Sequence, residues 1–313
     1  MVLFMANRLQ HKIACSRYAF PLTIVYACGI WLFGGLFQHQ LWVPFILMLV
    51  TTVVMAELNN QHALIRTYSR MLSCSFLIMS ASTLPLFFDI ESGIIQLCMA
   101  LTYLYLFKAY QNKMAIGSVF NAFFFIGLAS VWFVQTLFLL PLWWLALRFY
   151  IVGMSWRTFF ASLIGVITPY WFLSGYYIYQ DSFELLIDHF KQLCTFGTLA
   201  HLNELTHIEL ITFGFISILG IIGFLYFITN SSKEKIRIRL LFASFALMMI
   251  STIAFIILQP VHYPYLLPML IVSVAPFIGH YLTFSGSRLS AITSLVIVTL
   301  TLIITAYQIW MHS

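Results

Sequence analysis

Charge is what this sequence has least of. Fifteen Lys and Arg and nine Asp and Glu in 313 residues make 8%, where soluble domains carry about 25%. So few ionised side chains cannot clothe a surface in water, which excludes a water-soluble enzyme, a disordered chain and a soluble domain with a membrane tail. Cysteine is also scarce: five residues, with no CxxC pair and with Cys28, Cys74 and Cys98 inside apolar runs, exclude a disulfide-stapled secreted module. Cys194 reads as a small apolar residue. No repeat of fixed period is present, which argues against a duplicated transporter. No Asp, Glu, Lys or Arg falls near the centre of any long apolar run, which weakens an ion-driven transporter or a channel with a charged ring.

What is present is hydrocarbon. The composition is 62% hydrophobic with a mean hydropathy of +0.97, and a hydrocarbon core about 30 Å thick takes roughly 20 apolar residues to cross as a helix. Uncharged runs bounded by ionisable clusters predict eleven spans: 19–37, 41–56, 71–88, 93–107, 115–130, 134–147, 158–179, 210–229, 240–258, 265–284 and 291–310. Residues 114–147 carry no charge, so a turn at 131–133 is inferred from length alone. No cleavage site follows the first run, which reads as a retained anchor. The fold class is therefore an all-α polytopic bundle, a single membrane domain over residues 1–313.

The basic residues supply an independent test, because cytoplasmic connections accumulate Lys and Arg. Alternate connections hold Arg8, Lys12 and Arg17; Arg66 and Arg70; Lys108 and Lys113; Arg148 and Arg157; Lys233, Lys235, Arg237 and Arg239; and Arg288. Only Lys191 lies opposite, and most acidic residues lie there with it. The pattern predicts an inner-membrane protein with its amino terminus in the cytoplasm and its carboxyl terminus outside. The net charge of +6 then reflects topology, and no nucleic-acid partner is expected.

Residues 180–207 form the one sizeable outer loop. Phe183, Leu186, Ile187, Phe190 and Cys194 recur at helical spacing opposite Asp181, Glu184 and Asp188, which predicts an amphipathic helix on the outer leaflet with Asp181 and Glu184 at its start. Asp188, His201 and Glu204 are the candidate acid/base residues. His201 and Glu204 share a helical face while His207 points elsewhere, and nothing approaches HExxH spacing, so no metal and no cofactor is expected. The solvated-loop reading stands beside the catalytic one.

On the cytoplasmic side, Glu57 to Arg70 is the most polar stretch of the first half. If helical, it places His62, Arg66 and Arg70 on one ridge at headgroup depth, where guanidinium forks suit phosphate oxygens; Glu57 and Asn59 would order that ridge. The plain alternative is a positive-inside connection that snorkels to lipid phosphates.

Phe120-Asn121-Ala122, Gly127-Leu128-Ala129-Ser130, Pro141, Trp156-Arg157, Gly165 and Pro169-Tyr170, with the preceding polar connection, resemble a family of uncharacterised polytopic inner-membrane proteins of Bacteroidota over residues 57–180. A fainter similarity connects the same order of small-residue, Pro-containing and Arg-bearing segments to polytopic glycosyltransferases and polysaccharide polymerases that use polyprenyl-phosphate sugars. Those transferases carry an acidic residue in their first outer loop, where this chain has Gln38-His39-Gln40, and the polymerases use a basic outer loop, where it offers Lys191 and histidines. The resemblance implies membrane lipids and a polyprenyl-phosphate-linked glycan as partners. Three functions remain: handling of lipid-linked envelope glycans, a non-catalytic membrane subunit or scaffold, and a transporter or lipid flippase.

Overall fold

The computed structural model describes Ser16 and residues 18–67, 69–83, 88–195, 197, 205–285 and 288–312. Among these residues every regular element is helical, as hydrocarbon requires, because a backbone with no water to bond must satisfy its polar groups within its own segment. The helices are α1 (Ala19–Phe33), α2 (Trp42–His62), α3 (Met71–Ala81), α4 (Ile90–Lys108), α5 (Ile116–Trp132), α6 (Leu140–Leu145), α7 (Trp156–Tyr179), α8 (Glu184–Lys191), α9 (His207–Asn230), α10 (Ile236–Leu258), α11 (Tyr263–Phe284) and α12 (Arg288–His312). Six of the described segments are long and apolar enough to cross a membrane: α2, α4, α7, α9, α10 and α11. The protein is a helical membrane bundle.

Each of the eleven apolar runs contains a helix, but not each is a full span. Among the described residues of the run at 71–88, α3 covers 11 and stops at Ala81, a rise of about 16 Å. Beyond Ala81 the hydroxyls of Ser82 and Thr83 donate to the Met79 and Ser80 carbonyls, a local alternative to further helix. The charge-free stretch turns at Phe133, which leaves helical geometry at φ −135 and ψ 90. It resumes as a 3-10 turn (Val134–Leu139), α6 and a π turn (Ala146–Tyr150).

The centre of the bundle is α11, almost wholly buried and surrounded by α3, α4, α9 and α10. It contains Pro268, which cannot donate to the carbonyl four residues back. That carbonyl, Pro264 O, instead accepts from Ser92 Oγ of α4 at 2.9 Å, so the break in the helix is mended by its neighbour. The closest packing joins α5 to α7. An added Cβ on Gly127 would lie 2.6 Å from Val166 O, and one on Gly165 2.6 Å from Phe120 O, so the two backbones touch through glycines, as small residues permit in membranes. Gly127 and Gly165 thus have a packing role within the stretch that carried the resemblance.

The connections sort into two ends. Arg66 Nη1 donates to Lys233 O at 3.2 Å, Ser155 Oγ donates to Lys113 O at 2.9 Å, and Gln111 N donates to Ile151 O at 2.8 Å. These contacts join four of the basic connections in two pairs, and the Arg237 guanidinium over the Tyr110 ring links one pair to the other. At the other end Gln135 Nε2 donates to Gln192 O, Gly197 N donates to Gln259 Oε1, and Tyr265 OH donates to Glu91 Oε2.

The amphipathic helix α8 differs from expectation at its start. Phe183, not Asp181, precedes its first turn, no side chain caps it, and Asp181 sits at φ 52 in the left-handed region. The helix is held instead by His189, whose Nε2–H donates to Ser130 O at 3.1 Å beside the Tyr170 hydroxyl. Burial against these groups pushes the His189 pKa down, opposed by the bond to Ser130.

Candidate functional site at the basic end

The predicted ridge of His62, Arg66 and Arg70 is not a continuous helix. α2 stops at His62, and Ala63 takes a left-handed conformation at φ 49. Asn59 supplies the reason. Its Oδ1 accepts from Ile65 N and its Nδ2 donates to Ser69 O, both at 3.1 Å, so one buried amide turns the chain back and holds Ile65 and Ser69 against the helix end. Glu57 takes no part in this turn; its carboxylate accepts from Gln61 Nε2 at 2.6 Å in an exposed position.

The three basic residues consequently point to three places. His62 is buried. Its Nε2–H donates to Leu104 O and its Nδ1 accepts from Arg237 Nη2, both at 3.2 Å, while the Arg237 guanidinium lies over the Tyr110 ring. Both imidazole nitrogens are thereby engaged, which removes His62 as a phosphate ligand. Arg66 turns to the other side of the connection. Its Nε lies 3.6 Å from Glu234 Oε1 and its guanidinium covers the Phe284 ring at 4.7 Å. Glu234 in turn lies 3.4 Å from His280 Nε2. Glu234 and His280 are both buried. Burial pushes the Glu234 carboxyl above its ordinary range, opposed by Arg66. His280 sits among the rings of Phe227, Phe242 and Phe284, and its Nδ1 has no hydrogen-bond partner among the described residues.

Arg70 remains. It precedes the first turn of α3, and its guanidinium carbon stands 5.3 Å from the Phe20 ring centre. With Glu57, Asn59, Asn60 and Ser73 it lines a pocket of about 240 Å³ between α1, α2 and α3, whose remaining wall is Phe20, Val53 and Ala56. One side offers a cation, a carboxylate, amides and a hydroxyl; the other is hydrocarbon. This is the lining expected for the boundary between a phosphorylated headgroup and its lipid tail.

Of the acid/base candidates in residues 180–207, Asp188 alone lies among the described residues. Asp188 accepts a 2.7 Å hydrogen bond from Lys191 Nζ one turn along, with both side chains exposed, which is an ordinary surface ion pair. His201 and Glu204 lie outside the described residues. Among the described residues no group of three or more His, Cys, Asp or Glu is arranged to hold a metal ion. Sequence reasoning missed the Arg66–Glu234–His280 cluster, although a signal was present: Glu234 is an acid among four basic residues in one short connection, where a carboxylate calls for a specific partner. No protein-family model, curated protein or solved structure matches the chain.

Proposed function

We propose that the protein is a multi-pass inner-membrane protein of eleven spans, amino terminus in the cytoplasm and carboxyl terminus outside, that binds a polyprenyl-phosphate-linked glycan and serves envelope glycan metabolism. The Arg70 pocket is the observation that carries this reading. Its guanidinium suits a phosphate. Glu57 and Asn60 suit sugar hydroxyls, which donate to a carboxylate as a bare phosphate diester cannot. Phe20, Val53 and Ala56 suit the first carbons of the lipid. The clustering of basic connections at one end supports the threading, and the resemblance to Bacteroidota inner-membrane proteins supports the location.

The flippase reading has less support, because α11 and its aromatic neighbours fill the centre where a polar path would run. A non-catalytic subunit remains the second reading, favoured by the engagement of the Asp188 carboxylate with Lys191.

The test is photo-crosslinking of a diazirine-bearing polyprenyl-phosphate sugar to the protein in nanodiscs. Arg70→Ala is expected to reduce labelling about tenfold, the equivalent of about 1.4 kcal/mol. Arg66→Ala is expected to leave labelling within about twofold, because that guanidinium is held by Glu234. Equal labelling of Arg70→Ala and wild type overturns the site.

A further inference from the structure

α12 is clipped to the bundle near its two ends. The hydroxyls of Tyr281 and Thr293 bond near one end; near the other, Tyr26 OH meets Thr305 Oγ1 at 3.3 Å and Gln308 Nε2 donates to Thr212 Oγ1 at 2.9 Å. Between these clips the helix stands away from its neighbours and leaves a slot of about 260 Å³ against α1, α3 and α11, with one residue of α9 in its wall.

The chemistry of the slot selects its occupant. Four residues of the wall carry hydroxyls, and each already has a partner: Thr23 donates to Phe20 O, Tyr26 meets Thr305, Ser75 Oγ is bonded to Leu72 O and Ala275 O, and Thr301 donates to Ile297 O. The remaining wall is aliphatic, with Ile278 and Ile297 in it. With these protons committed the wall offers no free hydroxyl donor and few acceptors, a poor setting for water, which needs two to four polar partners. Leu22 and Val298 on the rim are 68% and 52% exposed, as residues facing hydrocarbon are, so the medium at the slot is the bilayer interior. A dry apolar cavity of about 150 Å³ already accepts a six-carbon ring, so this one takes roughly ten chain carbons on the same scale.

We propose that one acyl chain of a bilayer phospholipid occupies this slot and serves as the packing layer between α12 and the bundle. The site is separate from the Arg70 pocket, which opens between α1, α2 and α3 rather than toward α11 and α12. Failure of either leaves the other standing.

Native mass spectrometry after exhaustive detergent exchange provides the test. Wild-type protein is expected to keep one phospholipid per chain after bulk lipid is lost, and Ile278→Trp, which fills the slot, is expected to cut that retained fraction at least fivefold. Where Ile278→Trp does not fold, Val298→Trp reports instead: its added emission is expected to be quenched by phospholipid brominated in mid-chain and to stay quenched after exchange into detergent. Loss of all lipid from wild type, equal retention by a folded Ile278→Trp, a retained mass matching an isoprenoid lipid, or no persistent quenching at Val298→Trp each overturns the proposal. So does a dimer cross-linked through α12, which would place a second copy there.

Discussion

Glu234 illustrates how a single side chain organises one end of a membrane bundle. It is buried, it faces His280 at 3.4 Å, and it draws Arg66 from another connection to 3.6 Å. Its carboxyl is pushed above the ordinary 4.5 by burial, with Arg66 opposing. The folded state therefore holds the proton more tightly than the unfolded chain does, and stability attributable to this group is complete below pH 4.5 and declines as the pH rises through the raised value. In Glu234→Gln the decline is expected to be absent, so thermal midpoints measured from pH 4 to 7 should fall more steeply for wild type than for the variant. Parallel curves would remove Glu234 as the titrating group. The residue types here were visible in the sequence, but their pairing was not: Arg66 and Glu234 are separated by the whole middle of the chain. Conversely, the expected ridge of His62, Arg66 and Arg70 assumed that α2 continues, and Asn59 turns the chain instead.

Elements in this protein are held together mainly by shape. α5 and α7 approach until backbone meets backbone at Gly127 and Gly165, so even a methyl group at either glycine must push the helices apart. Gly127→Ala is expected to cost about 1–3 kcal/mol. Gly117→Ala, on the same helix but with nothing within 4 Å of its added Cβ, is expected to be neutral or to stabilise by up to about 1 kcal/mol. Thermal unfolding of the two variants in the same detergent checks the contrast, and equal midpoints would mean that the helices relax apart freely. Helix existence was legible from uncharged runs, since each of the eleven contains one. Helix length was less so. α3 ends after 11 residues, and nothing in hydropathy alone distinguishes a short helix buried on all sides from a complete span, because both are uniformly apolar.

At the scale of the molecule, the arrangement rests on the sorting of connections between two ends. Cysteines introduced singly at Lys113, Lys233 and Arg239, in a background without the five native cysteines, are expected to react with an impermeant maleimide from the cytoplasmic side. Cysteines at Gln180 and Glu184 are expected to react from the outside. All five positions are exposed. Labelling of Lys113→Cys and Arg239→Cys from opposite sides would overturn the threading and, with it, the proposed compartment of the Arg70 pocket.

The class of this protein was determined by composition, because lipid as a solvent demands apolar side chains and self-satisfied backbones whatever their order. The distribution of cations along the chain predicted which connections share an end, since charge is too costly to leave in hydrocarbon, and contacts relate four of those connections. What tertiary structure alone decided was which polar groups meet. Arg70 faces Phe20 and a pocket, Arg66 faces Glu234, and His62 is sealed against Leu104 and Arg237. His62, Arg66 and Arg70 take three separate roles because the helix ends at His62 and the turn after it carries Arg66 and Arg70 off the His62 face, and contacts between segments distant in the chain leave no trace in local spacing.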